Sequence, residues 1–353
     1  MSHSMRDILD TLGNGGDLTP EQAAFAFREL FEGDLSPAQA GALLMGLRAK
    51  GETPLELAAA AQAGLERARL VTGLPTDRPI VDIVGTGGDL SNSFNCSTAV
   101  SLYLAALGHR VVKHGNRAVS SSSGSADALE GLGIRLDTGP DEVAAQLARQ
   151  GFVFLFAPNY HPSFAHIAPV RRELGVRTLF NLMGPLLNPA RPSHQLLGVG
   201  QARALKLMAE TLALTAPDLT AFVIHGTVGY GGDGSAGGPG GSGGFDELTP
   251  FGPTTGFALD RGKVAPFTLD PREFGIPAHD PDEVRVADKA AALAAIRDVL
   301  TGKAGAALQD MTALNLGAAL HLVSGRALAD CVREAREAVA DGAARRFAGT
   351  ERQ

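Results

Sequence analysis

Two glycine- and hydroxyl-rich segments, Asp82 to Thr98 (DIVGTGGDLSNSFNCST) and Lys113 to Asp127 (KHGNRAVSSSSGSAD), each follow a short apolar run and precede a helical pattern, and they sit fifteen residues apart. A chain that repeats strand, loop and helix in this way is built to lay parallel strands side by side with helices on their faces. In the first unit the run Ile80-Val81-Asp82-Ile83-Val84 ends in glycines at 85, 87 and 88, which remove the Cβ atoms that would keep backbone N–H groups from converging on an anion. Ser97 and Thr98 then open a helix whose N-terminus adds unpaired donors. In the second unit Arg110 to Val112 reads as a strand. Lys113, Asn116, Arg117 and the hydroxyls of Ser120 to Ser123 offer donors before residues 126–132 turn helical. A single glycine-rich turn is an ordinary α/β connection, but the pairing of two such turns points to phosphate. Neither G-x-x-x-x-G-K-[ST] nor G-x-G-x-x-G occurs in them, so the P-loop and dinucleotide fingerprints are absent.

The N-terminal region follows a different rule. Thr19-Pro20-Glu21-Gln22, Ser36-Pro37-Ala38-Gln39 and Thr53-Pro54-Leu55-Glu56 start 17 residues apart, and each reads as a helix start. The hydroxyl caps, proline suits the first turn, and Gln or Glu three residues on can reach back to the cap. Residues 1 to about 70 are therefore expected to form a bundle of short helices. Beyond Pro79, apolar strands (IVDIV, RVV, FVFLFA, HQLLGV, AFVIHG) alternate with helical patterns such as DEVAAQLARQG and ARALKLMAETLAL. The predicted class is α/β: a small N-terminal helical-bundle domain plus a larger α/β domain whose mainly parallel sheet is flanked by helices. From Gly229 to Gly244 (GYGGDGSAGGPGGSGG) ten of sixteen residues are glycine, which predicts a flexible linker rather than a packed element.

A length of 353 residues is long for one core, and an apolar share of 44% can bury a sizeable one. A net charge of -7 argues against a nucleic-acid or membrane surface, since such partners are met by clustered Lys and Arg. Cys96 and Cys331 are too few for a disulfide framework or a thiolate metal site. With no signal-peptide pattern in MSHSMRDILD and no apolar run near the roughly 20 residues that span a bilayer, the expected compartment is the cytoplasm.

A third stretch, Ala157 to Pro192 (APNYHPSFAHIAPVRRELGVRTLFNLMGPLLNPARP), completes a set. The three resemble, in order and over nearly the whole chain, the signatures of the anthranilate phosphoribosyltransferase family, which run close to GTGGDG…FN-x-ST and KHGNR…SS-x-SG-SAD. The resemblance implies a helical domain over residues 1–75, with about 165–190 returning to it, and an α/β phosphoribosyl-binding domain over 76–353. It also implies a homodimer through the helical domain. The implied reaction moves the phosphoribosyl group of phosphoribosyl diphosphate (PRPP) onto the amine of anthranilate, with Mg2+ on the departing diphosphate, in tryptophan biosynthesis. By resemblance, Gly85, Gly88, Asp89, Ser93, Asn95, Ser97 and Thr98 line the PRPP site from one side. Lys113, Asn116, Arg117, Ser120, Ser121 and Ser125 close it from the other, with Lys113 the cation for phosphate. Gly85, His114, Asn116, Arg171, Gly184 and Pro185 form the anthranilate pocket, in which Arg171 matches the carboxylate-binding arginine. Asp246 and Glu247, helped by the Ser97 hydroxyl, are the implied metal ligands; no residue is implied as general acid or base.

The sequence departs from the family pattern in three places. Leu90 stands where the family has glycine, which, if φ must be positive there, costs about 1–3 kcal/mol. Cys96 replaces an aliphatic residue, and the glycine tract directly precedes the acidic pair. Two competing readings share the same fold class: a pyrimidine nucleoside phosphorylase, and a non-catalytic member that binds nucleic acid. The first has no need of an acidic metal pair, and an aromatic content of 5% leaves the second few stacking platforms.

Overall fold

A computed structural model of the chain describes residues 4–89, 91–117, 124–230 and 244–349. It opens with four helices: α1 (Met5–Gly13), α2 (Pro20–Glu32), α3 (Pro37–Lys50) and α4 (Pro54–Glu66). The three expected starts are capping boxes. Thr19, Ser36 and Thr53 each accept a bond from the N–H three residues on, and Gln22, Gln39 and Glu56 each return a side-chain acceptor to the cap N–H. Phe27, Phe31, Leu43, Leu44 and Leu47 fill the space between these helices.

Glu56 does more than cap. Its side chain is buried, accepts the backbone N–H groups of Leu18 and Thr53 at 2.9 Å each, and pairs with Lys50 Nζ at 2.7 Å. Replacing it by Gln keeps the volume but removes the charge opposite a buried ammonium and leaves too few acceptor positions for three donors. Chemical unfolding of Glu56→Gln is expected to show a loss of about 2 kcal/mol; wild-type stability would contradict this account of the bundle.

Past Pro79 strands and helices alternate. In chain order these are β1 (Ile80–Gly85), α5 (Cys96–Ala106), β2 (Arg110–Gly115), α6 (Ser125–Gly131), α7 (Val143–Gln150), β3 (Phe152–Phe156), α8 (Ala157–Tyr160), α9 (Ala168–Leu174), α10 (Phe180–Met183), β4 (His194–Gly198), α11 (Leu205–Thr215) and β5 (Thr220–Thr227). Three strands, β6 (Gly244–Phe245), β7 (Thr254–Asp260) and β8 (Lys263–Leu269), and three helices, α12 (Lys289–Thr301), α13 (Ala306–Ser324) and α14 (Leu328–Ala340), follow. The sheet order is β3-β2-β1-β4-β5-β7-β8, with β6 on β5. Pairs from β3 through β5 are parallel, as the alternation predicts; β6, β7 and β8 pair antiparallel. One face of the sheet is covered by α5, α12, α13 and α14. On the other, Leu197, Val199, Ala221 and Val223 join α11 and the helical bundle in one apolar core, which also takes in Ile167, Val170, Phe180 and Met183.

The glycine tract differs from its expectation at both ends. Gly229 N bonds Phe251 O at 2.9 Å, the Arg272 guanidinium lies 4.1 Å over the Tyr230 ring, and Gly244 pairs with Thr227 as part of β6. Residues 231–243 lie outside the described residues. Since Thr227 and Gly244 are already neighbours, a two-residue turn in place of 231–243 closes the same gap, and loop shortening changes closure entropy by about 0.6 kcal/mol per halving. The expected result is an unchanged melting temperature and an unchanged KM for the acceptor. A large loss of stability would show that the tract packs.

Candidate active site

In the strand order, β1 lies between β2 and β4, so chain connections leave in opposite directions on its two sides. Ligands of open parallel sheets bind outside the carboxyl ends of the strands at such a switch point. A cleft of about 1260 Å³ opens there, between the loops after β1, β2 and β4 and the segment from α8 to α10.

The turn after β1 is shaped by close contacts. Gly87 and Gly88 have φ of 67° and 73°, in the region that suits glycine. A Cβ on Gly85 would lie 2.1 Å from Asp246 Oδ2, one on Gly88 1.8 Å from Arg177 Nη2, and one on Gly198 1.5 Å from Asp246 O. Gly87 N–H donates to Asp246 Oδ2 at 2.8 Å, and Gly200 N–H donates to Thr86 Oγ1 at 3.0 Å. The turns after β1 and β4 therefore form one glycine floor, and the chain at Asp246 rests on it.

Three carboxylates meet above that floor. Oxygens of Asp89, Asp246 and Glu247 lie within 4.8 Å of one another. Asp89 Oδ2 and Glu247 Oε2 are buried with no hydrogen-bond partner among the described residues. Burial, followed by repulsion from Asp246, pushes the Asp89 carboxyl up to about 6. Burial and the charges of Asp246 and Asp89 push Glu247 well above the usual carboxylate range. Orphaned carboxylate oxygens at this spacing suit a hard cation that takes one or two carboxylates and completes its shell from phosphate and water. Beside them Lys113 is 1% exposed. Its Nζ donates to Ile83 O, and to Ser97 Oγ at 3.2 Å, while Asp82 on the adjacent strand opposes the fall in its pKa caused by burial. Lys113 is thus anchored at the cleft wall beneath the head of α5.

The acceptor end is apolar and cationic. His114 and His161 stack edge to face at 5.1 Å, and burial with the neighbouring His161 pushes His114 down to about 3, so it stays neutral. Arg171, on α9, lies 5.0 Å over the Phe180 ring; among the described residues its guanidinium has no hydrogen bond or acidic partner. Arg172 is exposed.

Of the residues predicted from sequence, Gly85, Gly88, Asp89, Ser93, Asn95, Ser97, Lys113, His114, Asn116, Arg117, Ser125, Arg171, Gly184, Asp246 and Glu247 all line this one cleft. Thr98 and Pro185 do not: both are buried behind the wall, where the Pro185 carbonyl accepts Gln195 Nε2 at 2.8 Å. Arg117 sits on the rim and turns outward to Glu130 at 2.7 Å. Ser120, Ser121 and Leu90 lie outside the described residues. Cys96 is fully buried in the core beside α13. Sequence reasoning missed Arg177, Gly198 and Gly200. The last two stand in HQLLGVG at the end of an apolar strand, the same signal that marked the first turn; Arg177 had no local signal, because only the fold carries it across to Gly88.

Comparison with known proteins gives a consistent picture. The profile described as "Glycosyl transferase family, a/b domain" matches residues 77–236 and 239–345, and "Glycosyl transferase family, helical bundle domain" matches 6–68. The chain is 52% identical over 342 residues to an anthranilate phosphoribosyltransferase of Nitratidesulfovibrio vulgaris, covering 95% of this chain and 96% of the relative. It is 49% identical to one from Oleidesulfovibrio alaskensis, covering 96% and 97%. A crystal structure of anthranilate phosphoribosyltransferase from Thermus thermophilus superposes with a TM-score of 0.83 at 38% identity over 96% of each chain. The Saccharomyces cerevisiae enzyme in complex with PRPP and Mg gives 0.83 at 26% identity over 98% and 95%. Matched in sequence and shape along nearly its whole length, the chain belongs to the anthranilate phosphoribosyltransferase family.

Proposed function

We propose that this cleft transfers the phosphoribosyl group of PRPP to the amine of anthranilate and releases diphosphate, the pentosyltransferase step of tryptophan biosynthesis. The observation that carries the reading is the polarity of a single cleft: a glycine floor with three closely spaced carboxylates at one end, and a half-buried arginine with no acidic partner among the described residues at the other. The relatives named for this reaction support it.

The reaction forms a bond from the anthranilate nitrogen to the ribose anomeric carbon as the bond to diphosphate oxygen breaks. Diphosphate leaves with the electron pair, and the nitrogen then loses a proton to water. Catalysis rests on positioning and charge stabilisation. Asp246 and Glu247, with Asp89 beside them and Ser97 close by, are the residues that would hold Mg2+, and the cation would supply charge neutralisation for the departing diphosphate. The Gly85–Asp89 turn and the head of α5 border the part of the cleft where the phosphates would lie. Lys113 fixes the Ser97 hydroxyl by its bond at 3.2 Å. Arg171 binds the acceptor carboxylate, held in place by Phe180. His114 lines the acceptor end of the cleft, and with its pKa pushed down to about 3 it is too weak a base to take the amine's proton.

We place the boundary of the helical domain near residue 75 and assign about 165–190 to it, supported by the shared core of Ile167, Val170 and Phe180 with α2–α4. A homodimer through this domain and a cytoplasmic location complete the reading; exposed Met45 on α3 supports the first, and two free buried cysteines fit the second. Among the described residues no helix is long and apolar enough to cross a membrane. The test is a fluorescence assay: with Mg2+ and PRPP present, the protein is expected to consume anthranilate fluorescence. No consumption, together with phosphorolysis of thymidine, would replace this reading by the nucleoside phosphorylase one.

A further inference from the structure

The backbone that presents Asp246 and Glu247 is tied at both ends by side chains that do not line the cleft. Downstream, both backbone groups of Leu248 bond one amide: Leu248 N–H donates to Asn315 Oδ1 at 3.0 Å, and Asn315 Nδ2 donates to Leu248 O at 2.8 Å. The second Nδ2 hydrogen goes to Met311 O at 2.8 Å, so both amide donors are used. Asn315 is 2% exposed on α13, among Leu and Ala neighbours. An asparagine is a poor helix former and an expensive group to bury there unless it is bonded. Upstream, Gly244 lies against the ring of buried His225, so closely that a Cβ would sit 2.0 Å from Cε1. His225 Nδ1 donates to Val199 O at 2.7 Å, which ties the ring to the floor turn after β4. Between these ends the chain has no slack, since Cβ atoms on Gly198 and Gly226 would lie 1.5 Å from Asp246 O and 2.3 Å from Glu247 O.

We propose that Asn315 and His225 are positioning residues that clamp the two ends of the acidic pair and hold its carboxylates in ligating geometry, with Asn315 the stronger anchor. The inference rests on the reading of Asp246 and Glu247 as the metal ligands. Its physical need follows from the charges: with Asp89, three carboxylates within 4.8 Å repel one another, and a loop held only by apolar packing would swing its acids outward. A two-point amide bond fixes both the position and the orientation of the peptide next to Glu247, which packing alone does not.

The test is direct Mn2+ binding in the presence of PRPP, read by electron paramagnetic resonance, alongside melting curves and steady-state kinetics. Asn315→Leu, with the same number and branching of side-chain heavy atoms but without the bonds, is expected to weaken Mn2+ binding tenfold or more and to raise the Mg2+ requirement, with the KM for anthranilate unchanged. Gly244→Ala, which presses on the clamp from the His225 side and leaves α13 intact, is expected to weaken Mn2+ in the same way and carries the test if Asn315→Leu does not fold. Asp246→Asn with Glu247→Gln is the reference. If that double variant binds Mn2+ like the wild type, the metal reading fails. If it loses Mn2+ while the folded Asn315→Leu or Gly244→Ala protein binds Mn2+ with wild-type affinity, the clamp is overturned.

Discussion

Asp246→Asn combined with Glu247→Gln is expected to lower kcat by two or more powers of ten while the melting temperature stays the same or rises. The rate loss, roughly 3 kcal/mol or more, is the size seen when a group that stabilises developing charge is removed. The direction of the stability effect follows from burial and repulsion. Glu247 is held well above the usual carboxylate range in the metal-free protein, so ionising it at neutral pH opposes folding, and a neutral amide removes that opposition. The Asn oxygen at 246 still accepts the Gly87 N–H that Asp246 Oδ2 accepts at 2.8 Å, so the turn keeps its anchor. Steady-state kinetics at saturating Mg2+ and a thermal melt check both halves. A double variant that is fully active, or one that melts far below the wild type, contradicts the role given to these acids.

Arg171→Ala is expected to raise the KM for anthranilate about a hundredfold and that for PRPP by less than about threefold. Truncating one partner of a desolvated charge pair costs about 2–5 kcal/mol, and the bound partner here is the acceptor carboxylate alone. The guanidinium is already held over Phe180 at 5.0 Å with no acidic partner among the described residues, so no protein charge is stranded in the free enzyme by its loss. Arg172→Ala, on the exposed side of α9, is the control and is expected to leave both constants near wild type. A PRPP-selective defect in Arg171→Ala, or a larger acceptor defect in Arg172→Ala, would assign the wrong arginine.

Local chemistry explains what was legible in the sequence. The three helix starts at Thr19, Ser36 and Thr53 need only four consecutive residues each, and all three are capping boxes. The strands β1 to β5 are buried on both faces, so each reads as an apolar run. The β7–β8 hairpin did not read as strands because its outer positions are exposed and Pro266 interrupts the second, as befits an edge. In the cleft, motif residues on contiguous loops were found, whereas Arg177, Gly198 and Gly200 depend on contacts that the fold makes at a distance. For Lys113 the sequence shows the charge, and the fold adds that Ile83 O and Ser97 Oγ hold it beneath α5.

The most direct test is a crystal structure with Mn2+ and PRPP, with the metal located by its anomalous signal. The account predicts Mn2+ held by carboxylate oxygens of Asp246 or Glu247, with PRPP bound above the Gly85–Asp89 turn. Metal at Glu29, Glu32 and Asp34, the other acidic cluster among the described residues, or PRPP bound away from the Gly85–Asp89 turn, would contradict it.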